Sequence, residues 1–416
     1  MHHQTLLSSR RLLFFTLYLT YVSTGIISIL PGPTLPLLAQ HTHVSITIAG
    51  WIFTASGLGF ALGVIVTGLL AGKVQPKSLV LVGLILLGST AIITPWTHQF
   101  VILLLSQLLK SFGFGFLDVS INILMSLAFQ DTLSESLNSL HSSYGIGALI
   151  APALLSLTLA LTHNPAWAYT TGTVLAVICI ILLARQRTPT LAARTKTAQP
   201  VAAVPRHIFR QLLLWLMVFE FFFYIAAEIG FSNWIVTAVS QSAAISLAFA
   251  APVATAFWLG LTVSRLASAQ VIKRAILSEN QVLFICIIGG GISGLLVAIF
   301  PGQLAISYGA SALFGFFLGP LFPGMIAIAS RWFVNTLNTI SSALLLSTGI
   351  SGMIFPAMMG LLIPVIGFNW VMTIPALGCL LVGIPFSLAI IKQRSTLQLR
   401  HEEHTIKETS HLSTPG

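Results

Sequence analysis

Apolar residues in this chain come in runs of about 20, long enough to cross a ~30 Å hydrocarbon core as a helix. The runs cover residues 12–37, 47–71, 79–95, 100–127, 137–161, 166–184, 211–239, 247–269, 281–299, 303–328, 338–363 and 368–391. Short polar or Gly/Pro clusters punctuate them, such as His163-Asn164-Pro165 and Ile366-Gly367-Phe368-Asn369. None shows the short alternating pattern of a spanning β-strand. The pattern predicts an all-α membrane protein of twelve transmembrane helices, numbered here spans one to twelve. Arg10 and Arg11 precede the first run in the manner of a secretory leader. That run is too long and lacks a small-residue cleavage site, so it reads as a retained helix.

Composition agrees. Only 7% of residues are charged and 56% are hydrophobic, whereas soluble chains carry about 25% charged residues. Lipid is the solvent such a surface requires, and the expected location is a cell membrane, plasma or bacterial inner. The formal charge of +10 invites a nucleic-acid reading, which the distribution of the charge excludes. Lys and Arg sit in short connections instead of on one folded face: Arg10 and Arg11, Lys73 and Lys77, Arg185 to Arg210, Lys273 and Arg274, Arg331, and Lys392 to Lys407. With Arg265, at the end of span eight, these all fall on the side that holds both termini, and the opposite connections hold none. By the positive-inside rule both termini are cytoplasmic. The inner connection 128–136 is acidic, with Asp131 and Glu135, and Lys110 lies inside span four.

The stretch 185–210 is basic and contains Pro189, Pro200 and Pro205. It divides the chain into a six-helix bundle over 1–184, a linker over 185–210, a second bundle over 211–391 and a polar tail over 392–416. The halves repeat each other. Gly145, Ile146, Ile150 and Pro152 recur as Gly349, Ile350, Ile354 and Pro356, an offset of 204. Phe116-Leu117 recurs as Phe317-Leu318 at 201, which sets Asp118 against Gly319, and Gly63 recurs as Gly260 at 197. Parallel repeats of this kind belong to carriers whose halves rock about a midplane site. Pro31-Gly32-Pro33 and Gly319-Pro320-Leu321-Phe322-Pro323-Gly324 predict broken helices, which are tolerated where they are buried in protein or line a cavity.

The motifs then resemble a known family. Gly68-Leu69-Leu70-Ala71-Gly72-Lys73-Val74-Gln75-Pro76-Lys77 is similar to the loop after span two of the major facilitator superfamily, with Gly72 where that family carries an acid. Arg265 looks like the corresponding basic residue of the second half. Within the superfamily, three segments resemble the fucose–galactose–glucose:proton symporters and related glucose-transporter-like proteins. They are Leu117-Asp118-Val119-Ser120-Ile121-Asn122, Leu140-His141-Ser142-Ser143-Tyr144-Gly145-Ile146-Gly147-Ala148 and Tyr224-Ile225-Ala226-Ala227-Glu228-Ile229-Gly230-Phe231-Ser232-Asn233-Trp234. The resemblance implies that spans one, four, seven and ten line a central cavity.

Four ionisable residues fall inside those spans: Lys110 and Asp118 in span four, Glu220 and Glu228 in span seven. Each costs roughly 2.5–3.5 kcal/mol at mid-membrane, so such residues face a cavity or a partner. At ~1.5 Å per residue, Lys110 lies about 15 Å and Asp118 about 27 Å into span four, Glu220 about 13 Å and Glu228 about 25 Å into span seven. Leaving water disfavours the charged form of a carboxyl group, so Asp118 or Glu228 is expected to carry a coupling proton. Lys110 is read as its counter-ion, with a static packing pair and an anion site as the competing roles. Asp118 and Asn122 share a helix face, and their oxygens leave sodium open. Asn122, His141, Asn233 and Trp234 are the candidate substrate contacts, for a sugar above all. Trp234 equally suits an interface anchor, and His141 a helix cap.

The expected function is secondary transport of a small polar solute by alternating access, acting as a monomer. A drug or metabolite efflux carrier of the same fold is the alternative, and a membrane sensor a remote one. Cys179, Cys286 and Cys379 lie in apolar runs without metal-ligand spacing. No phosphate-binding loop, cofactor motif or catalytic set marks an enzyme.

Overall fold

A computed structural model of the protein describes residues 2–129, 133–189, 210–333 and 337–412. Asp131 and most of the 185–210 linker lie outside them. Among the described residues every regular element is helical, and twelve helices are long and apolar enough to cross a membrane. In lipid a lone segment can satisfy its own backbone only as a helix. The spans are Arg10–Ile29, Ile46–Leu70, Pro76–Trp96, Phe100–Ala128, Ser139–Thr162, Ala166–Arg185, Leu212–Ser242, Leu247–Lys273, Glu279–Ile299, Leu304–Trp332, Leu346–Val371 and Thr373–Gln393. Each overlays one apolar run.

The breaks fall where proline removes a backbone donor. Span one ends at Ile29, and a separate helix, Pro31–His41, carries the chain to the face opposite the termini. Span ten divides into Leu304–Leu318 and Leu321–Trp332. Between spans eleven and twelve Gly367 turns the chain at φ 76°, a conformation glycine adopts without penalty. Residues 392–412, expected as a polar tail, continue the last helix, Thr373–Leu412.

The packing map consists of two copies of one plan. Span one packs on five and six, four on two and three, and three on six. Span seven likewise packs on eleven and twelve, ten on eight and nine, and nine on twelve. Every pair recurs with six added. The repeated glycines explain one of these contacts: a Cβ on Gly63 would run into the Phe112 carbonyl of span four, and one on Gly260 into the Ala312 carbonyl of span ten. Small residues let membrane helices approach to backbone contact.

The halves meet through spans two and eleven, five and eight, and the Pro31–His41 helix on span seven. Hydrogen bonds cross between them from Thr54 Oγ1 to the Met353 carbonyl at 3.2 Å and from Ser156 Oγ to the Ala248 carbonyl at 2.6 Å. At the termini face Arg10, Lys77 and Arg331 each bond within their own half. Arg10 donates to the Ala128 carbonyl, Lys77 to the Ala184 and Gln186 carbonyls, and Arg331 pairs with Glu279. At the far face the halves touch, Gly50 against Trp234 and Gly32 against Ser232 and Asn233, closing the structure there, and His141 is exposed near the termini end of span five.

Candidate functional site

Two tyrosine-held carboxylates dominate the polar interior. In the first half Tyr21 of span one, 2% exposed, donates its hydroxyl to Asp118 Oδ1 at 2.8 Å. Asn122, one turn further along span four, donates Nδ2 to the Asp118 backbone carbonyl at 2.7 Å. That bond leaves the Asp118 carboxylate to Tyr21. The His141 ring stands edge-on to Tyr21, centroids 5.3 Å apart and planes at 85°. Asp118 and Asn122 are half-buried and His141 is exposed.

In the second half the hydroxyl of Tyr224 donates to Glu228, one turn away on span seven. Both are buried. Arg265 of span eight lies close enough to act electrostatically on Glu228 and Tyr224. It also donates Nε to the Gly319 carbonyl at 3.3 Å. Arg265 is therefore not a residue of the surface connection. It lies about two turns inside span eight, because that helix runs on to Lys273.

Tyr144 of span five lies within electrostatic range of both centres. Its ring stacks on Phe114 of span four at 5.7 Å and 6°, and both Asp118 and Glu228 act on it electrostatically.

The remaining predicted residues stand apart from these centres. Lys110 is 3% exposed and its Nζ donates to Gln107 Oε1 at 2.7 Å, while Gln107 Nε2 donates to Thr94 Oγ1 at 3.0 Å. In this structure no carboxylate lies within ion-pair distance of it among the described residues. Gln107 lies three residues away on the same face of span four, whereas Asp118 lies two turns along. Glu220 is 1% exposed, and its Oε1 has no hydrogen-bond partner among the described residues.

Trp234 is fully buried in the far closure. Its Nε1 donates to the Pro356 carbonyl at 2.9 Å, and its ring stands 5.8 Å from that of Phe53. A Cβ on Gly50 or on Gly360 would lie 3.0 Å from Trp234 Cζ2. In this state no face of the ring is open to a sugar. Asn233 is half-buried where Gly32 crosses span seven.

The family model of the Major Facilitator Superfamily matches residues 17–314. The chain belongs to the major facilitator superfamily. Among curated relatives, the mouse sodium-dependent glucose transporter 1A is 22% identical over 83% of this chain and 88% of its own. The Saccharomyces cerevisiae bypass of stop codon protein 6 is 20% identical over 82% of this chain and 74% of its own. Among solved structures, a bacterial homologue of the human lysosomal transporter Spinster, inward-facing and unoccupied, superposes with a TM-score of 0.71 at 12% identity, covering 92% of this chain and 97% of that one. The E. coli fucose:proton symporter superposes at 0.62 with 19% identity, covering 92% and 99%.

As a superfamily carrier the protein moves its solute by alternating access. The sequence pointed to Asp118, Asn122, His141 and Glu228, but gave no role to Tyr21, Tyr144, Tyr224 or Arg265. One signal was present: Tyr21 and Tyr224 stand 203 apart, within the range of the repeat offsets.

Proposed function

We propose that the protein is a cation-coupled sugar carrier, with both termini in the cytoplasm and the coupling charge taken up at Asp118 and Glu228. The observation that carries this reading is the pair of tyrosine-held carboxylates, one in each half. Neutralising either acid alters a polar contact at the seam along which the halves move. The bundles over 1–184 and 211–391 rock about the 185–210 linker, and a single chain supplies the whole site. The placement of Lys and Arg supports the orientation.

The sugar assignment draws support from the names of the glucose and fucose transporters that the chain resembles. Asn122 and His141 offer neutral hydrogen-bonding groups at the cleft, beside the stacked rings of Phe114 and Tyr144. Trp234 and Asn233 act in the far gate, which closes over the solute. Lys110 and Glu220 serve packing. A proton suits the donor chemistry: the hydrogen-bond partner of each acid is a phenol. Donors of that kind complement a carboxylate that exchanges one proton, whereas a metal cation needs several acceptor oxygens. Sodium is the second reading, favoured by the name of the mouse relative.

Purified protein in liposomes tests both readings. Radiolabelled D-glucose and L-fucose are offered with an inward proton gradient, an inward sodium gradient, or neither. Accumulation under the proton gradient is expected. Accumulation under sodium alone transfers the coupling role to sodium, and uptake that never exceeds equilibration removes cation coupling.

A further inference from the structure

Span eight is broken near its far end. It consists of a single turn, Leu247–Ala250, and a long helix, Pro252–Lys273. Backbone bonds are intact on both sides of the joint, from the Ala251 amide to the Leu247 carbonyl at 2.8 Å and from the Ala254 amide to the Ala251 carbonyl at 3.0 Å. The Ala248 carbonyl would take its helical bond from residue 252, which is Pro252 and has no N–H. A carbonyl left without a donor away from water is costly. Ser156 of span five supplies one, with its Oγ 2.6 Å away. The next carbonyl, of Phe249, accepts from the Tyr308 hydroxyl of span ten.

The two side-chain donors come from different halves. Tyr308 belongs to the same half as span eight, so its bond moves with that half. Ser156 belongs to the first half and lies one and a half turns, about 9 Å, before the far end of span five at Thr162. The Leu247–Ala250 turn packs on span five as well as on span seven. The Ser156 bond therefore exists only while the far face is closed. The other seam differs. Gly360 follows Ser156 by 204 positions, the offset that relates spans five and eleven, and it offers no hydroxyl. A Cβ there would lie 3.6 Å from the Thr47 carbonyl and 3.0 Å from Trp234 Cζ2, so the indole fills that space. Thr54 donates to the Met353 carbonyl across the same seam, but residue 357 is Ala357, which has an N–H to give to that carbonyl.

We infer that Ser156 is a positioning residue of the transport cycle. Its hydroxyl completes the helix end that Pro252 leaves open, and it does so only in the far-closed state. Closing the far face seats the Ala248 carbonyl on Ser156, and opening it requires water to take the hydroxyl's place. Pro252 thereby converts an ordinary helical carbonyl into a contact that favours closure. The inference rests on alternating access alone, whatever the solute and the coupling cation.

Pulsed electron resonance on protein in nanodiscs tests this, with spin labels at Thr162→Cys and Ser242→Cys, both exposed near the far ends of spans five and seven, and the three native cysteines replaced by alanine. Ser156→Ala leaves the closed-state carbonyl without a donor. It is expected to move the population ratio toward the far-open state on the order of tenfold, the scale of one unmade hydrogen bond. Pro252→Ala returns the helical N–H, so in that background Ser156→Ala should move the ratio far less. Tyr308→Phe strips the Phe249 carbonyl of a donor within one half, and should lower the thermal midpoint without moving the distance distribution. A wild-type distribution in Ser156→Ala overturns the inference, as does an equal shift with and without Pro252. A shift in Tyr308→Phe that matches Ser156→Ala also overturns it, because general loosening of span eight would then be the cause.

Discussion

Gly50 is the place where a single methyl group should unbalance the transport cycle. Its backbone is right-handed helical, with φ −56° and ψ −22°, so alanine meets no conformational strain there and only space decides. A Cβ at Gly50 would lie 3.0 Å from Cζ2 and 3.2 Å from Cη2 of Trp234, and 3.2 Å from the Thr47 carbonyl. Gly50 belongs to the first half and Trp234 to the second, so the overlap with the indole exists only while the far face is closed. Overpacking of this kind costs about 1–3 kcal/mol. Charged to one side of a two-state equilibrium, that is roughly a 5- to 150-fold shift toward the far-open state. Spin labels at Thr162→Cys and Ser242→Cys, both exposed near the far ends of spans five and seven, report the separation by pulsed electron resonance. Cys179, Cys286 and Cys379 are replaced by alanine in this background. Gly50→Ala should transfer population to the longer distance. Trp234→Phe removes the atoms that the methyl group meets, so in that background Gly50→Ala should shift the distribution far less. An equal shift with and without the indole would refute the reasoning.

The glycine contacts of the two halves should fail alike: Gly63→Val and Gly260→Val each press a side chain into a facing carbonyl, and both should lower the thermal midpoint of detergent-purified protein by comparable amounts. Lys110→Met should raise that midpoint and leave transport intact, because burying an ammonium costs several kcal/mol against about 1.5–3 kcal/mol for its bond to Gln107; a folded variant that no longer transports would restore Lys110 to the cycle. Tyr21→Phe should weaken gradient-driven accumulation more than solute exchange, since it removes the donor on Asp118 and keeps the ring against His141; equal loss of both would assign Tyr21 a packing role alone. Glu220→Gln should accumulate solute as the wild type does, in contrast to Glu228→Gln.

The spans were legible because lipid leaves the backbone few choices, and Pro31 and Pro320 marked the breaks because a missing donor acts locally. The carboxylates were legible because a charge in an apolar run is conspicuous. Their partners were not. Tyr21 lies 97 residues from Asp118, and which helix faces meet depends on rotations that no local pattern records. Arg265 was read at the end of span eight, and the helix instead continues to Lys273, which sets Arg265 about two turns inside it. Lys110 invited pairing with a distant acid, yet Gln107 lay one turn away. Trp234 was equally readable as a sugar platform or an interface anchor, and only packing against Gly50 and Phe53 placed it in the far closure.

The central claim is that Asp118 and Glu228 couple a cation gradient to solute movement. Its most direct test compares accumulation with counterflow of radiolabelled D-glucose in liposomes holding wild type, Asp118→Asn or Glu228→Gln. Counterflow needs the carrier to move its solute but needs no gradient, so it controls for folding and binding. The account predicts that both variants keep counterflow and lose accumulation under a proton gradient. Accumulation at the wild-type level in both would contradict it.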